Sequence, residues 1–418
     1  MDYKLFDNRY TNRLLWYKDT EVQFQNREAQ VPEWLAYRLS RKDGATDFVY
    51  ENKLVPFNPD SWKKERRMIW GGNVSLANGY GNVAYNTFKA LMQLGVNVGT
   101  WGGLSGNPLS GSEFVDDIVK EAVEKDPYPD CLEIQHQQPP AFKHNIIEKR
   151  WAYSMYETTH TPRSWIKILN QMDHILVPST WLIDSWKEQG VTRPIDVYQH
   201  GIDPEIYYYM ERPEREMFTF IHYCQLSERK GTGLLAKAFA DEFGKTKDVK
   251  LILKNIFPIF PISPSVRDRA NIECIAQTMT QDEMKDFLFN ADCAVYPSSG
   301  EGFLLPGLEC MATGMPLITT GWSGMVDYAD KEDTLLLDYK MVHSTEFDMI
   351  YKEFYEQGES AGDWAQPSYE DLRAKMRFVY ENRKKAKAMG KHAAERVARS
   401  WKWIDKASDL ISIINNNI

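Results

Sequence analysis

Cysteine is scarce in this chain, with five among 418 residues. No Cys-x-x-Cys pair and no His/Cys ligand spacing is present, which excludes a disulfide scaffold and the common zinc patterns. The thiols are odd in number, scattered and mostly within apolar runs, as expected of reduced groups in a cytoplasmic protein. No apolar run reaches the ~18 residues that would suggest a membrane-crossing helix. The first residues, Met1 to Asp19, are charged throughout, unlike a secretory signal. A positive excess is lacking too: Lys and Arg number 50 against 59 Asp and Glu, a net charge of −9. That balance argues against a generic polyanion binder. Low-complexity tracts and short repeats are also missing.

What is present is ample apolar material, 43% hydrophobic residues with 13% aromatics. At roughly 100–200 residues per domain the length implies two or three domains. The stretch from Arg66 to Trp101 reads as strand (Met68–Trp70), glycine loop, helix (about Asn82 to Leu94) and strand (Val96–Thr100), with Gly95 as the helix stop. "CLEIQH", "HILV" and "IDVYQHG" continue the strands, with Ser179 as a candidate cap for the helix that follows "HILVPS". After a charged, proline-bearing linker near 204–216, a second series begins with "FTFIHYCQ". Strands alternating with helices imply parallel sheets covered on both faces. We therefore expect two doubly wound α/β domains. An N-domain spans 67–205 and is completed by a C-terminal helix at about 395–418. A C-domain spans 206–394, and residues 1–66 form an extension packed on the N-domain.

The stretch "SSGEGFLLPGLECMATGMP", residues 298–316, carries the strongest chemistry. "CAVYPSS" reads as a buried strand, Gly300 and Gly302 allow a tight turn, and Pro306 suits the start of a helix. Glu301 then lies above the carboxyl end of a strand and Glu309 in the first helical turn, where open α/β sheets bind ligands. Helix-start N–H groups favour an anion such as a diphosphate. Carboxylates repel phosphate, so the two glutamates are better suited to sugar and ribose hydroxyls.

"EGFLLPGLE" resembles the E-x7-E motif of retaining GT-B glycosyltransferases, in particular glycosyltransferase family 4. The likeness extends over about residues 68–418, through "SLANGYGNVAYNTFKAL", "DHILVPSTWLIDSWKEQGV", "QLSERKGTGLLAKAFA" and "GMPLITTGWSGMVDY". The resemblance implies a GT-B fold and sugar transfer from a nucleoside-diphosphate sugar, a UDP-sugar first, with no metal or other cofactor. It implies that Glu309 holds ribose hydroxyls and that Glu301 touches the donor sugar, beside Gly302, Phe303, Leu304 and Leu305. Arg229 and Lys230 would neutralise the leaving diphosphate, and His136 would stand near the sugar. Gly79 and Gly81 would let backbone approach donor phosphates or acceptor, and Ser323 and Gly324 would lie on the donor side.

Two departures stand out. The usual Gly-Arg before the phosphate loop is Cys224-Gln225, which leaves phosphate charge to Arg229 and Lys230. The usual E-G-F-G is Glu301-Gly302-Phe303-Leu304, and the leucine is expected to reshape the sugar pocket. The acceptor reads as a saccharide or other glycan hydroxyl. A hydroxylated base in viral DNA is the alternative acceptor, and a non-catalytic nucleotide-sugar-binding protein the alternative of another class. Bland readings stand beside these: turn glycines at 79 and 81, a turn-shaping His200, core roles for Trp181 and Trp186, and a solvated helix face at Arg383 to Lys391. "FKHNIIEKRWAYSMYETTH", with Lys143, Lys149 and Arg150 among aromatics, reads as a solvated face or an acceptor contact.

Overall fold

Apolar, β-branched and aromatic runs too short for helices pair side by side into parallel sheets, and amphipathic stretches between them cover both faces. A computed structural model describes residues 58–72, 74–75, 78–100, 116–117, 119–120, 131–142 and 148–418, and the backbone of four strands between residues 4 and 30. Those four, β1 (Lys4–Asn8), β2 (Arg13–Lys18), β3 (Glu21–Phe24) and β4 (Arg27–Gln30), form an antiparallel meander. Most of the expected packing of residues 1–66 on the N-domain lies outside the described residues. The short helix Pro59–Glu65 is described, and its buried Trp62 donates from Nε1 to Asn415 Oδ1 at 2.8 Å.

The first parallel sheet contains β5 (Arg67–Gly71), β6 (Asn97–Thr100), β7 (Leu132–His136), β8 (Arg150–Tyr153), β9 (His174–Val177) and β10 (Ile195–Val197), in the order β10-β9-β8-β7-β5-β6. The second contains β11 (Phe218–Tyr223), β12 (Val249–Asn255), β13 (Ile272–Ala276), β14 (Cys293–Tyr296), β15 (Leu317–Thr320) and β16 (Leu335–Leu337), in the order β13-β12-β11-β14-β15-β16. Chain direction along the sheet reverses between β5 and β7 in one and between β11 and β14 in the other. Such switch points open a crevice at the carboxyl ends of the strands.

Helix α1 (Gly79–Gln93) starts earlier than its apolar period suggests, because Asn78 caps it: Oδ1 accepts from the Gly81 N–H at 2.8 Å. Ser179 does not cap the helix at Trp181; its Oγ donates across to the Gly302 carbonyl at 2.7 Å. In the second domain, α2 (Thr232–Phe243) follows β11 and α3 (Leu305–Ala312) follows β14. Near the C-terminus, α4 (Arg383–Ser400) packs on the second domain, with Ala393 and Val397 in the cluster that holds Leu308 and Met311. The chain then crosses back, and α5 (Trp403–Asn417) buries Trp403, Leu410 and Ile414 in the cluster of the first domain.

Lys384, Lys385 and Lys391 are exposed, the solvated face expected of this run, while Arg383 is half-buried. Its guanidinium stacks over Phe218 at 5.0 Å and donates to the Arg215 carbonyl at 2.9 Å. Trp186 is core, and the half-buried Trp181 packs at a tilt against Trp322. Lys143 lies outside the described residues. All five cysteines are free, and Cys224 and Cys274 are only partly buried.

An antiparallel pair, β17 (Tyr339–His343) and β18 (Asp363–Pro367), projects from the second domain. The chain between its strands reaches the first domain. There Phe347 packs on Tyr156 at 5.4 Å and Tyr351 on Trp165 at 5.2 Å, between ring centroids. This arm and the Ser179–Gly302 bond join the two domains across the cleft.

Candidate active site

Both switch points deliver chemistry to the same crevice. His136 closes β7, Arg229 and Lys230 lie in the loop after β11, and Glu301 lies in the loop after β14. The Glu301 carboxylate is 4% exposed. Lys230 Nζ reaches its two oxygens at 2.6 and 2.7 Å, and Arg229 Nη1 donates to Oε2 at 3.0 Å. Burial alone would raise this carboxyl; Lys230 and Arg229 override it and hold it down to about 2. The site therefore contains a fixed anion gripped by two cations in a dry environment, where their fields are strong.

The loop that carries Glu301 is held from below. Its N–H donates to Ser323 Oγ at 3.0 Å, and the Gly324 N–H donates to its carbonyl at 3.0 Å. Ser323 sits at φ 58°, and a Cβ on Gly324 would fall 2.2 Å from the Gly302 carbonyl oxygen. Ser323 and Gly324 thus set the loop's height above the sheet. Gly231, after Lys230, has φ 69°, and a Cβ there would meet the Pro297 carbonyl oxygen at 2.1 Å. Only glycine lets the loop after β11 lie this close to the end of β14.

Glu309 is placed differently from the expectation. It lies one turn into α3 rather than in its first turn, and it is 5% exposed. Tyr223 OH donates to its Oε2 at 2.9 Å. Burial, only partly offset by Tyr223 and Tyr207, pushes its carboxyl up to about 7. The two glutamates therefore differ in charge readiness because only Glu301 has cationic partners.

The side chains of Phe303, Leu304 and Leu305 are buried. Phe303 and Leu304 belong to the buried cluster of the second domain, and Leu305 to that of the first. Leu304 adopts a left-handed φ of 67°, and its carbonyl accepts from Tyr328 OH at 2.9 Å. The leucine side chain thus fills core space. Gly81 lies against Ser75, where a Cβ would fall 2.4 Å from that side chain, so its role is close packing of α1. Gly79 faces open space.

His136 is buried among Tyr153, Tyr80 and Trp70, with ring centroids at 4.7, 4.8 and 5.3 Å. Neither ring nitrogen has a hydrogen-bond partner among the described residues. Burial, with His200 nearby, holds the imidazole well below its ordinary value, so it is neutral. The three rings close both nitrogens off from solvent, so the imidazole meets a ligand hydroxyl only if one of them, such as the half-buried Tyr80, moves aside. His200 is likewise buried and unpartnered, at about 3, and packs on Phe303 at 4.6 Å where the domains meet.

Sequence reasoning missed several groups here. Glu157 lies 3.7 Å from Arg229 Nη1, and burial raises its carboxyl despite Arg229. Glu346, on the arm, accepts from the Arg229 N–H at 2.7 Å. Tyr351, also on the arm, accepts from Gln138 Nε2 at 2.7 Å. Burial raises the Tyr80 hydroxyl, and the Glu157 and Tyr351 charges add to the effect. No motif marks these residues; they come from separate segments that only the fold brings together. Among the described residues no three His, Cys, Asp or Glu side chains gather as metal ligands.

Comparison with known proteins fits this geometry. Residues 218–345 match the family described as Glycosyl transferases group 1. Sucrose-phosphate synthase from Thermosynechococcus elongatus superposes with a TM-score of 0.57 at 14% identity, over 84% of this chain and 99% of that one. Anabaena HepE in complex with UDP-glucose superposes with a TM-score of 0.57 at 11% identity, over 84% and 100%. With two parallel-sheet domains facing across a cleft, these superpositions decide the architecture. The fold is GT-B. A viral relative, "Putative glycosyltransferase 45" of Sulfolobus islandicus filamentous virus, is 23% identical over 164 residues, 36% of this chain. The aligned part spans 43% of that relative's length. In GT-B terms the first sheet is the N-domain and the second the C-domain. Among the described residues no helix is long and apolar enough to cross a membrane.

Proposed function

We propose that this GT-B protein is a retaining, metal-independent glycosyltransferase of family 4 type. It moves a hexosyl or pentosyl group from a nucleoside-diphosphate sugar, a UDP-sugar first, to a hydroxyl of a saccharide or glycan in the cytoplasm. The observation that carries the reading is Glu301 clamped by Lys230 and Arg229 at the C-domain switch point, opposite the unpartnered His136 of the N-domain. UDP-glucose bound by a neighbour of the same fold supports the donor class.

In this reading the diphosphate meets Lys230 and Arg229, which stabilise its charge as the anomeric C–O bond breaks. The acceptor oxygen bonds to the anomeric carbon on the same face, and its proton passes to the departing phosphate oxygen. His136 and Glu301 hold sugar hydroxyls, and Glu309 holds the ribose diol. The net charge of −9 favours a neutral acceptor over a nucleic acid, whose phosphates it would repel.

Glu309 gives a pH test. Its folded value, about 7, lies above the ordinary 4.5, so the fold favours the protonated acid. The stability it contributes is complete below the ordinary value and is lost as pH rises through about 7. Ribose hydroxyls prefer the carboxylate as acceptor, so nucleotide affinity is expected to rise between pH 6 and 8, with proton release. Titration calorimetry in two buffers of different ionisation heat checks this, and Glu309→Gln should flatten the profile.

The deciding experiment follows nucleoside-diphosphate release across UDP-, GDP-, ADP- and dTDP-sugars, with and without hydroxymethylated DNA, using Glu309→Ala as control. Release from one donor that is lost in the variant and unchanged by DNA is expected. Acceleration by DNA would transfer the acceptor to nucleic acid. No release and no donor-induced thermal shift would leave a non-catalytic protein.

A further inference from the structure

A cavity of about 570 Å³ lies at the amino-terminal edge of the second sheet, within the size range of small-ligand sites. Phe218, which opens β11, Asp292, which precedes β14, and Pro316, which precedes β15, all line it. Lys230 and Glu301 lie beyond the opposite ends of β11 and β14. β11 is six residues long, so at about 3.3 Å per residue the two places are roughly 20 Å apart. Most of the remaining lining comes from two segments. One leads from the first domain into β11, and the other surrounds the start of α4.

Six basic side chains line this cavity against three acidic ones. Arg212 is buried, and its guanidinium donates to the carbonyls of Ala291, Met210, Thr313 and Leu288 and to Thr313 Oγ1. Neutral acceptors, not a carboxylate, hold its charge in place. Arg215 is half-buried over the Phe289 ring at 5.1 Å. Its guanidinium has only long polar contacts among the described residues, 3.5 Å to Asn290 Oδ1 and 3.8 Å to Asp292 Oδ1. The other oxygen of Asp292 already accepts from the Thr219 N–H at 2.8 Å. Lys384 and Lys385 are exposed, and neither has an ion-pair partner among the described residues. Lys387 is paired, with Glu211 at 2.6 Å. Of the acids, Glu214 and Glu381 are exposed. The first turn of α4 carries Arg383, Lys384 and Lys385 and no acid, and the Asn382 side chain caps none of its N–H groups, donating instead to the Phe378 carbonyl at 2.9 Å. Cations at a helix start are repelled by the macrodipole, so they cost the fold stability, and the same positive field attracts an anion.

We propose that this cavity binds a phosphorylated small molecule, at a site separate from the crevice on the other edge of the sheet. The weakly held guanidinium of Arg215 turns to the phosphate and makes charge-assisted bonds. Lys384 and Lys385 meet it as mobile point charges, and Arg212 adds a fixed positive field. The volume exceeds that of a bare phosphate, and Tyr209 and Tyr380 add aromatic wall, so the body that carries the phosphate is of sugar or nucleoside size.

Titration calorimetry of the full chain with inorganic pyrophosphate, at about 0.15 M salt to screen diffuse attraction, tests this. The variants are Lys230→Met, which weakens the crevice, and, in that background, Lys384→Ser with Lys385→Ser, and Arg215→Gln. One equivalent of pyrophosphate is expected to bind Lys230→Met. Its affinity should fall at least about tenfold in the lysine pair and again in Arg215→Gln, the effect of losing bonds from charged groups. Both lysines are exposed, so the pair should keep the fold, and its unliganded melting temperature should be unchanged or raised because cations leave a helix start. Loss of all pyrophosphate binding in Lys230→Met overturns the proposal, as does a titration in which no component responds to the lysine pair. Sedimentation with phosphatidylglycerol vesicles that the lysine pair abolishes, without pyrophosphate binding, overturns it in favour of an anionic membrane surface.

Discussion

Glu301→Gln is expected to lower sugar transfer by about 10²–10³-fold, the range for loss of one preorganised electrostatic group. The substitution keeps the shape and removes the charge that Lys230 and Arg229 grip at 2.6 and 3.0 Å. Nucleoside-diphosphate affinity should move the other way, unchanged or tighter, because the two cations are freed for phosphate. Steady-state transfer and calorimetric binding on the same preparation separate the two effects. A variant that loses binding and turnover together would assign Glu301 to folding instead. Some destabilisation is expected in any case. Breaking a buried ion pair costs about 3–5 kcal/mol when the partner charges remain, so the melting temperature must be measured alongside.

Lys230→Met is expected to produce the other large loss. Lys230 meets both Glu301 oxygens and, with Cys224-Gln225 in place of the usual Gly-Arg, is one of the two cations that the proposed function leaves for phosphate. Transfer should fall by at least about 10²-fold. Unlike Glu301→Gln, this variant should also weaken nucleoside-diphosphate binding, and a nucleoside lacking phosphates should bind it as it binds the wild type. Equal losses for nucleoside and diphosphate would mean that Lys230 shapes the loop rather than meeting phosphate. Lys230→Arg is expected to recover part of the binding, since charge is retained while the fork geometry differs from a point charge.

Local chemistry made much of this legible in the sequence. Short apolar runs such as "FTFIHY" and "CAVY", rich in aromatic and β-branched residues, read as strands covered on both faces. Gly95, Pro306 and Gly314 punctuate helices through backbone constraints that act over a few residues. Alternation of the two element types therefore determined a doubly wound fold. The E-x7-E spacing with Arg229-Lys230 determined which loops carry charge, because each motif lies within one strand–loop–helix unit.

Only the tertiary structure decided what those groups meet. The sequence puts Glu301 and Glu309 on equal terms, yet one carboxyl is held near 2 and the other near 7. The difference arises from partners on another strand, cations for Glu301 and Tyr223 for Glu309. Leu304 looks like a pocket residue in its motif but turns into the core, because a left-handed backbone at 67° redirects it. Glu157, Glu346 and Tyr351 enter the site from the N-domain and from an arm that carries no site motif. Charge pairing depends on distance through space rather than along the chain, so the partners of each carboxyl are a property of the packed sheets.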